Sequence, residues 1–362
     1  MSAAAQEFIG AITFEALTGR PVHTALIAAG HALDHIRLAR AAHVVVVAPA
    51  TADFLARAVM GRADDLMTAA LLATPAPVLL VPAMNDRMWG HPQVRHNAAH
   101  LRDIGYHVLE PDSGELAVGE GAGPGRMPAP ESILAHIGRL LESRGRLAGR
   151  RIVVSAGGTR EAIDPVRFIS NRSSGKMGIA VAEAAWRRGA DVLLIAGAVS
   201  APIPPELELV RVESTDEMCE AVRAALPGAD VLVMAAAPAD FRPAQVAGHK
   251  IKKEKAPESI ALEGTPDILA ATRDARRAGA VVVGFALETD DLLANARAKL
   301  ERKGLDLIVA NDAGEAGAGF EVDTNRVTLL GRDGDVQQLP LLTKREVGEA
   351  VLDRIEGLLD GR

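Results

Sequence analysis

Short apolar runs alternate with helical patterns of apolar and polar residues along the whole chain. In the first half the runs fall at residues 44–49 and 78–81 and around Val108, with helical patterns between them. Short, continuous, aliphatic runs are typical of strands that are buried on both faces. Strands that alternate with helices predict a parallel sheet with helices packed against it.

The second half repeats this alternation with more strands. Its apolar runs lie at residues 151–156, 191–196, 209–212, 231–234, 281–286 and 307–312. We therefore predict an α/β protein of two doubly wound domains with mostly parallel sheets, at residues 1–145 and 146–362, the second being Rossmann-like. Ligands of such sheets bind at the carboxyl ends of the strands.

Composition narrows the class of protein. At 362 residues the chain is long enough for two domains. A net charge of −7 and an aromatic content of 3% argue against nucleic-acid binding, which usually needs a clustered basic surface. The single cysteine, Cys219, excludes an internal disulfide and fits a reducing compartment. No apolar run approaches the ~20 residues that span a bilayer, so we expect a cytoplasmic protein without membrane contact.

The segment at residues 164–178 has the chemistry of an anion site. It reads D-P-V-R-F-I-S-N-R-S-S-G-K-M-G, follows the strand predicted at 151–156 and leads into a helical pattern. A polar, glycine-containing loop between a strand and a helix N-terminus presents backbone N–H groups to phosphate or carboxylate. The loop offers free backbone N–H groups, three hydroxyls and the side chains of Arg167, Asn171, Arg172 and Lys176. Its candidate substrate-binding residues are Asn171, Ser173, Ser174 and Gly175.

Further polar residues follow the other strands of the second half. A loop with Lys250 comes after A-A-A-P-A-D-F-R, and Thr265 should cap a helix with Pro266 at its first position. Lys299 and Lys303 are four residues apart, so they share one helix face. Several cations around one nucleotide suit chemistry at phosphorus better than hydride transfer. The absence of G-x-G-x-x-G after a strand also argues against a nicotinamide-dependent oxidoreductase. We interpret the glycine-rich residues 119–127 as a mobile lid or a plain surface loop.

The second half resembles the ligase domain of the bifunctional coenzyme A biosynthesis proteins, phosphopantothenoylcysteine decarboxylase/phosphopantothenate–cysteine ligase. The matching strings are S-A-G-G-T-R-E-A-I-D-P-V-R-F-I-S-N-R-S-S-G-K-M-G, A-A-A-P-A-D-F-R, K-I-K-K, P-D-I-L, G-F-A-L-E-T and L-D-L-I-V-A-N-D, in family order. The resemblance implies CTP as co-substrate with Mg²⁺. The carboxylate of 4′-phosphopantothenate then forms an acyl-cytidylate, and cysteine displaces CMP.

The resemblance also implies residue roles. Asn171 matches the residue that holds the acyl-cytidylate, and Lys250 matches the lysine needed for activation. The implied CTP contacts are Ala236, Ala237, Asp240, Lys250, Pro266, Asp267, Ile268, Leu269, Phe285, Lys299 and Lys303. The metal ligands are not implied. A dimeric ligase domain is implied, so we expect a homo-oligomer.

The first half resembles the flavodoxin-like, FMN-dependent decarboxylase domain of the same proteins. The matching strings are H-I-R-L-A-R, A-P-A-T-A-D, P-A-M-N-x-x-M-W and G-P-G-R-M. They imply His35 as the catalytic histidine, Asn85 as a substrate-binding residue, and Thr51 and Asp53 as FMN-binding residues. The implied reaction is decarboxylation of 4′-phosphopantothenoylcysteine to 4′-phosphopantetheine.

This half departs from the family pattern in two places. The N-terminal strand with its flavin-phosphate turn is missing, which we explain by a mis-assigned start codon or by truncation. The lid, A-C-G in the family, is Ala117-Val118-Gly119 here, and a valine cannot donate a proton. We expect a chain extended upstream to bind FMN and this one not to. The alternative function is a ligase alone, with a vestigial or regulatory flavoprotein-like domain.

Overall fold

The computed structural model divides into two compact units, Met1–Leu141 and Glu142–Arg362. It describes residues 1–27, 33–117, 119, 121–142, 145–253, 258–288, 292–312 and 322–361. Val118, in the segment that resembles the lid, lies outside the described residues, as do positions 143–144 of the expected linker.

Unit 1 contains a short parallel sheet. Its strands are β1 (Val45–Ala50), β2 (Val78–Pro82), β3 (His107–Val108), β4 (Asp112–Glu115) and β5 (Ala122–Arg126). Its helices are α1 (Ala3–Gln6), α2 (Ala11–Thr18), α3 (Asp34–Ala41), α4 (Ala52–Val59), α5 (Leu66–Ala73), α6 (Asp86–Gly90), α7 (Pro92–Asp103) and α8 (Pro130–Glu142). In the described residues β1, β2 and β3 pair in that order, all parallel. The predicted strands and the helix after β2 are present.

The glycine-rich segment of unit 1 differs from the predicted loop. Its residues form the second strand of an antiparallel hairpin, β4 with β5. The backbone N–H of Met84 donates to the carbonyl of Gly125 at 2.9 Å, so the hairpin is joined to the end of β2. The hairpin escaped prediction because its strands lack the apolar alternation by which a half-buried strand is recognised.

Unit 2 is built on a large sheet. Its strands are β6 (Arg151–Ala156), β7 (Arg160–Ala162), β8 (Phe168–Ser170), β9 (Asp191–Ala196), β10 (Glu208–Arg211), β11 (Val231–Met234), β12 (Phe241–Pro243), β13 (Leu262–Gly264), β14 (Val281–Glu288), β15 (Leu307–Asp312), β16 (Thr324–Asn325), β17 (Val327–Gly331), β18 (Val336–Gln338) and β19 (Leu342–Thr343). Within the described part of the chain the large sheet has the order β10-β9-β6-β11-β14-β15-β17-β18. The first six strands in this order, β10, β9, β6, β11, β14 and β15, are parallel to one another, and β17 and β18 are added antiparallel.

Helices cover both faces of this sheet. They are α9 (Lys176–Arg187), α10 (Thr215–Ala225), α11 (Ile268–Ala271), α12 (Leu292–Lys303) and α13 (Lys344–Asp360). Two apolar clusters result, and alternate residues of one strand divide between them: Val154 joins the α9–α13 side, and Val153 joins the α10–α12 side. Burial on both faces is why the strands read as continuous apolar runs. The predicted doubly wound α/β fold is confirmed.

Candidate active site

The parallel strands of unit 2 have a topological switch point between β6 and β11. Numbered along the chain, the six parallel strands run 3-2-1-4-5-6 across the sheet, so successive connections diverge from that pair. The loops after β6 and β11 meet there. The N–H of Ala237 donates to the carbonyl of Gly157 at 2.8 Å, and Gly158 forms an isolated β-bridge with Ala237. A ligand crevice is expected at this place in the fold.

Two glycines let the N-terminus of α9 pack closely against the loop after β9 and the end of β6. Gly175 caps the helix with a φ of 78°, and a Cβ there would lie 2.4 Å from Cγ1 of Val199. A Cβ on Gly178 would lie 2.6 Å from the carbonyl oxygen of Ser155. Any side chain at either position would displace the helix, so its N–H groups reach the crevice only with glycines in the S-S-G-K-M-G sequence.

A cleft of about 240 Å³ opens at the switch point. It is lined by residues from the loops after β8 and β11 and from β14, β15, β16, α9, α12 and α13: Asn171, Ser173, Ser174, Gly175, Lys176, Met177, Ala235, Ala236, Ala237, Phe285, Ala286, Leu287, Lys299, Asn311, Asn325 and Lys344. Eight residues predicted from the sequence are therefore brought together: Asn171, Ser173, Ser174, Gly175, Ala236, Ala237, Phe285 and Lys299. Asp240, Lys250, Pro266–Leu269 and Lys303 do not line it.

Asn171 connects the two loops of the switch point. Its side-chain Nδ2 donates to the carbonyl of Pro238 at 2.9 Å and to that of Ala237 at 3.3 Å. Both donor positions of the amide nitrogen face the loop after β11, so the amide is held in one orientation at the mouth of the cleft.

The predicted residues that do not line the cleft form a neighbouring group. The N–H of Thr265 donates to the carbonyl of Asp240 at 3.0 Å, and its hydroxyl donates to that of Ala239 at 2.5 Å. Lys303 forms an ion pair with Asp267 at 3.2 Å. The expected cap is wrong: Asp267, not Thr265, caps α11, since its carboxylate accepts from the N–H of Ala270. Thr265 is instead used to hold the loop that carries Asp240.

Asp164 fixes the segment that carries Lys250. Its buried carboxylate accepts from the backbone N–H of Ile251 at 3.1 Å and from those of Val166 and Arg167 at 2.8 and 2.9 Å. The Arg167 guanidinium pairs with the same carboxylate and holds the pKa of Asp164 well below its usual range, helped by the backbone donors. Lys250 is exposed, but its chain neighbour is tied to the opening of the anion loop.

A buried polar chain that the sequence reasoning missed supports the loop after β11. The N–H of Ala239 donates to the hydroxyl of Thr159 at 2.9 Å, which lies 2.8 Å from that of Thr215. The hydroxyl and N–H of Thr215 donate to the carboxylate of Glu161 at 2.8 and 2.9 Å. The three side chains are at most 4% exposed. The string T-R-E after β6 was part of the recognised motif, but its chemistry is visible only once α10 packs beside it.

Lys344 and Asn325 are further cleft residues that were not predicted. Lys344 begins α13, whose Thr343 and Glu346 form a reciprocal capping box. The sequence T-K-R-E is a recognisable helix-start signal and could have located this helix, although not its position beside the cleft.

The four predicted residues of unit 1 lie at element ends or on α3. Thr51 caps α4 by accepting from the N–H of Phe54 at 3.2 Å, and Asp53 pairs with Arg57 at 2.9 Å. Asn85 caps α6. His35, on α3, has a buried Nδ1 without a hydrogen-bond partner among the described residues. A buried ring nitrogen of this kind fits a ligand-contacting role, whereas the Thr51 hydroxyl is already used by the helix.

Within the described ranges no group of three or more His, Cys, Asp or Glu side chains could hold a metal ion. The cleft offers amide, hydroxyl and ammonium groups instead, which do not fit a protein-held Mg²⁺. No helix among the described residues is long and apolar enough to cross a membrane.

Each half of the chain matches a known protein family. Residues 147–358 match the DNA/pantothenate metabolism flavoprotein C-terminal domain, and residues 1–142 match the flavoprotein family. The coenzyme A biosynthesis bifunctional protein CoaBC of Mycobacterium tuberculosis H37Rv is 50% identical over 99% of this chain and 88% of its own length. The protein of that name from Bacillus subtilis 168 is 43% identical over 99% and 89%.

Two solved structures resemble the chain in fold. The crystal structure of the C-terminal domain of a CoaBC protein shares 41% identity with a TM-score of 0.52, covering 60% of this chain and 99% of that domain. The DNA/pantothenate metabolism flavoprotein of Streptococcus pneumoniae shares 26% identity with a TM-score of 0.50, covering 58% and 99%.

The switch-point cleft, with its helix N-terminus and lysines, is typical of α/β proteins that bind anionic ligands. The full-length matches make this specific: the chain belongs to the coenzyme A biosynthesis bifunctional protein CoaBC family. The resemblance recognised from the motifs is confirmed. The chain is an enzyme of coenzyme A biosynthesis with ligase and decarboxylase domains, and a ligase with only a vestigial first domain is not favoured.

Proposed function

We propose that the switch-point cleft catalyses the CTP-dependent ligation of 4′-phosphopantothenate with cysteine through an acyl-cytidylate. The observation that carries this proposal is the convergence of the α9 N-terminus, the Asn171 amide and Lys299 on one cleft. A carboxylate oxygen attacks the α-phosphorus of CTP and pyrophosphate leaves with the electrons of the broken P–O bond. The amine of cysteine then attacks the acyl carbon, loses a proton and displaces CMP.

The residues divide between binding and charge stabilisation. Asn171 holds the acyl-cytidylate beside Ser173, Ser174 and Gly175. Lys250 is delivered from the segment fixed by Asp164 and neutralises charge that develops on the phosphates in the activation step.

The nucleotide contacts come from both sides of the switch point. Ala236, Ala237 and Phe285 give the flat apolar walls that a pyrimidine ring needs. Asp240 reads amino or hydroxyl groups of the nucleoside. Pro266–Leu269 and Lys303 supply further CTP contacts, and the ion pair between Lys303 and Asp267 holds these two segments together. Mg²⁺ belongs to this scheme only as part of the MgCTP complex, because the described cleft residues include no carboxylate ligand set.

The test is pyrophosphate release from CTP by the purified 362-residue chain. Release should require 4′-phosphopantothenate, and conversion to the amide should require cysteine as well. CTP should support turnover better than ATP. No CTP-dependent pyrophosphate release under any of these conditions would overturn the proposal.

Two variants test the site. Lys250→Gln and Asn171→Asp should each lower turnover by at least about 10²-fold, the range seen when a charge-stabilising donor is removed from an active site. Lys253→Gln is the matched control, since it removes an exposed lysine from the same segment. Equal activity in Lys250→Gln and Lys253→Gln would show that the site is wrongly placed.

A second proposed function belongs to unit 1, where His35 favours it, since its buried Nδ1 has no hydrogen-bond partner among the residues that the structure describes. This unit decarboxylates 4′-phosphopantothenoylcysteine to 4′-phosphopantetheine with FMN, which when bound supplies the redox chemistry that makes loss of CO₂ easy. His35 contacts the reacting group and Asn85 binds the substrate. Thr51 and Asp53, which follow β1, would hold the FMN.

The flavin proposal is tested by absorbance of the purified chain and by CO₂ release. Purified protein that carries FMN, or takes it up when it is added, would support this second proposal and would overturn the sequence-based expectation that this chain does not bind the cofactor. His35→Asn should abolish CO₂ release while flavin content is unchanged. Protein that takes up no added FMN and releases no CO₂ would refute decarboxylation by this chain.

A further inference from the structure

One wall of the cleft carries two lysines that the proposed mechanism does not yet use. Lys176 is the first residue of α9 and Lys344 is the first residue of α13, and both line the cleft. Lysine is normally placed near the C-terminus of a helix, because the N-terminus carries partial positive charge. Two helices that each begin with a lysine at one cleft concentrate positive charge there.

One of these two lysines, Lys344, is buried, which raises the energetic cost of its charge. Lys344 is 6% exposed, and lysine is among the residues least often buried. Burial, then the like charge of Lys176, lowers the pKa of Lys344 to about 8, and Asp323 acts in the opposite direction. An anion bound between the two lysines would offset the repulsion between them.

Asn325 adds a polar group to the same wall. It is 4% exposed, lines the cleft, and its Oδ1 has no hydrogen-bond partner in the described part of the chain. A buried polar group without a partner is uncommon and points to a ligand. An amide can present either its oxygen or, after rotation by 180°, its NH₂ group to that ligand.

The carboxylate of Asp323 already pairs with one of the two lysines, as a bound anion would. Its carboxylate pairs with Nζ of Lys176 at 2.6 Å, yet its side chain is 86% exposed. An exposed ion pair contributes little to stability, so a multiply charged ligand can displace it at small cost.

We propose that Lys176, Lys344 and Asn325 form the subsite for the pyrophosphate group that leaves CTP during activation. This inference rests on the proposed nucleotide chemistry and deepens it. As the bond between the α-phosphorus and the bridging oxygen breaks, negative charge grows on the departing pyrophosphate. Cations held on that side of the cleft stabilise the charge where it develops. The subsite therefore complements Lys250, which the proposed mechanism assigns to the same activation step.

Ligand binding to the 362-residue chain in metal-free buffer tests the subsite. Calorimetry with inorganic pyrophosphate, CTP, CMP and 4′-phosphopantothenate separates the possible phosphate sources. Lys344→Met and Lys176→Met should each weaken pyrophosphate and CTP about tenfold or more, and should change CMP less than twofold. Asp323→Asn should tighten pyrophosphate several-fold, an effect that misfolding cannot imitate. The matched control is Arg345→Met, which removes an exposed charge from the next position of α13.

Proton uptake gives an independent readout. Since burial and Lys176 lower the pKa of Lys344 to about 8, part of its population is neutral at pH 8.5, and a bound polyanion raises that pKa. Pyrophosphate binding at pH 8.5 should therefore take up part of a proton, measured as a dependence of the heat on buffer ionisation, and Lys344→Met should remove that uptake.

The outcomes separate this inference from the proposed function. Unchanged pyrophosphate affinity in both lysine variants, or weaker binding in Asp323→Asn, would overturn the subsite while leaving CTP binding intact. Loss of 4′-phosphopantothenate binding alone would overturn it in favour of a substrate-phosphate site. Wild-type protein that binds pyrophosphate but neither CTP nor CMP would instead overturn the proposed function.

Discussion

The backbone N–H of Ala239, in the loop that follows β11, is bound by one buried hydroxyl, and removing that hydroxyl should loosen the nucleotide side of the cleft. Thr159 is fully buried, accepts from the N–H of Ala239 and contacts the Thr215 hydroxyl. The one hydroxyl proton of Thr215 is directed to Glu161, so Thr159 must donate its own proton to Thr215. Thr159→Val keeps the shape of the side chain and removes both interactions.

The size of the effect of Thr159→Val follows from the backbone N–H that loses its acceptor. The N–H of Ala239 becomes a buried donor without a partner, which costs roughly 1–3 kcal/mol. At about 1.4 kcal/mol per tenfold, local opening of residues 235–240 should become about 5- to 150-fold more frequent. Asp240 lies in that segment, so the KM for CTP should rise more than kcat falls.

Peptide-resolved hydrogen exchange measures the opening, and pyrophosphate release measures the kinetic constants. Thr159→Ser is the control, because it keeps the hydroxyl and loses only a methyl group. Thr159→Val protein that exchanges residues 235–240 no faster than Thr159→Ser would refute the view that this hydroxyl holds the loop.

Two other predictions concern the segments beside the cleft. Asp164→Asn should lower CTP-dependent turnover by freeing Ile251 and Lys250, with faster exchange at the Ile251 amide as the direct measurement. Because the pKa of Asp164 is depressed by folding, its stabilising contribution should be complete above pH ~4 and decline as the pH falls further, which acid titration of wild type against the variant would show. Lys303→Met should change stability by less than about 1 kcal/mol, since its pair with Asp267 is partly exposed, yet raise the KM for CTP; an unchanged KM would remove it from the site.

The parallel strands were predictable because each is buried on both faces. Residues 231–234 are apolar at every position and form one continuous strand, β11. The same reasoning located the strand ends, and with them the anion loop and the A-A-A-P-A-D segment. Local sequence therefore sufficed for the elements that meet at the switch point.

Other features depend on contacts between distant parts of the chain. The hydrogen bond from Ile251 to Asp164 joins residues 87 positions apart, and nothing in either segment announces the other. Lys344 follows a short strand and reads as an ordinary helix start. Its place in the cleft is set by the packing of α13 against α9. The hairpin β4–β5 is held by glycines and polar residues, whose pattern resembles that of a loop.

The hairpin of unit 1 allows a prediction that could not be made from the sequence alone. A Cβ at Gly125 would lie 2.1 Å from the carbonyl oxygen of Met84, whereas real Cβ contacts stay above 3.0 Å, so Gly125→Ala must move the hairpin by about 1 Å. That shift breaks the 2.9 Å hydrogen bond between them, next to Asn85. Displacements of this size can reduce a reaction rate by roughly 10²-fold. Exchange at the Met84 amide should rise and CO₂ release should fall, with pyrophosphate release unchanged. Gly114→Ala, whose Cβ would meet only a flexible arginine at 3.6 Å, is the control, and equal behaviour of the two variants would contradict the proposed dependence on close approach.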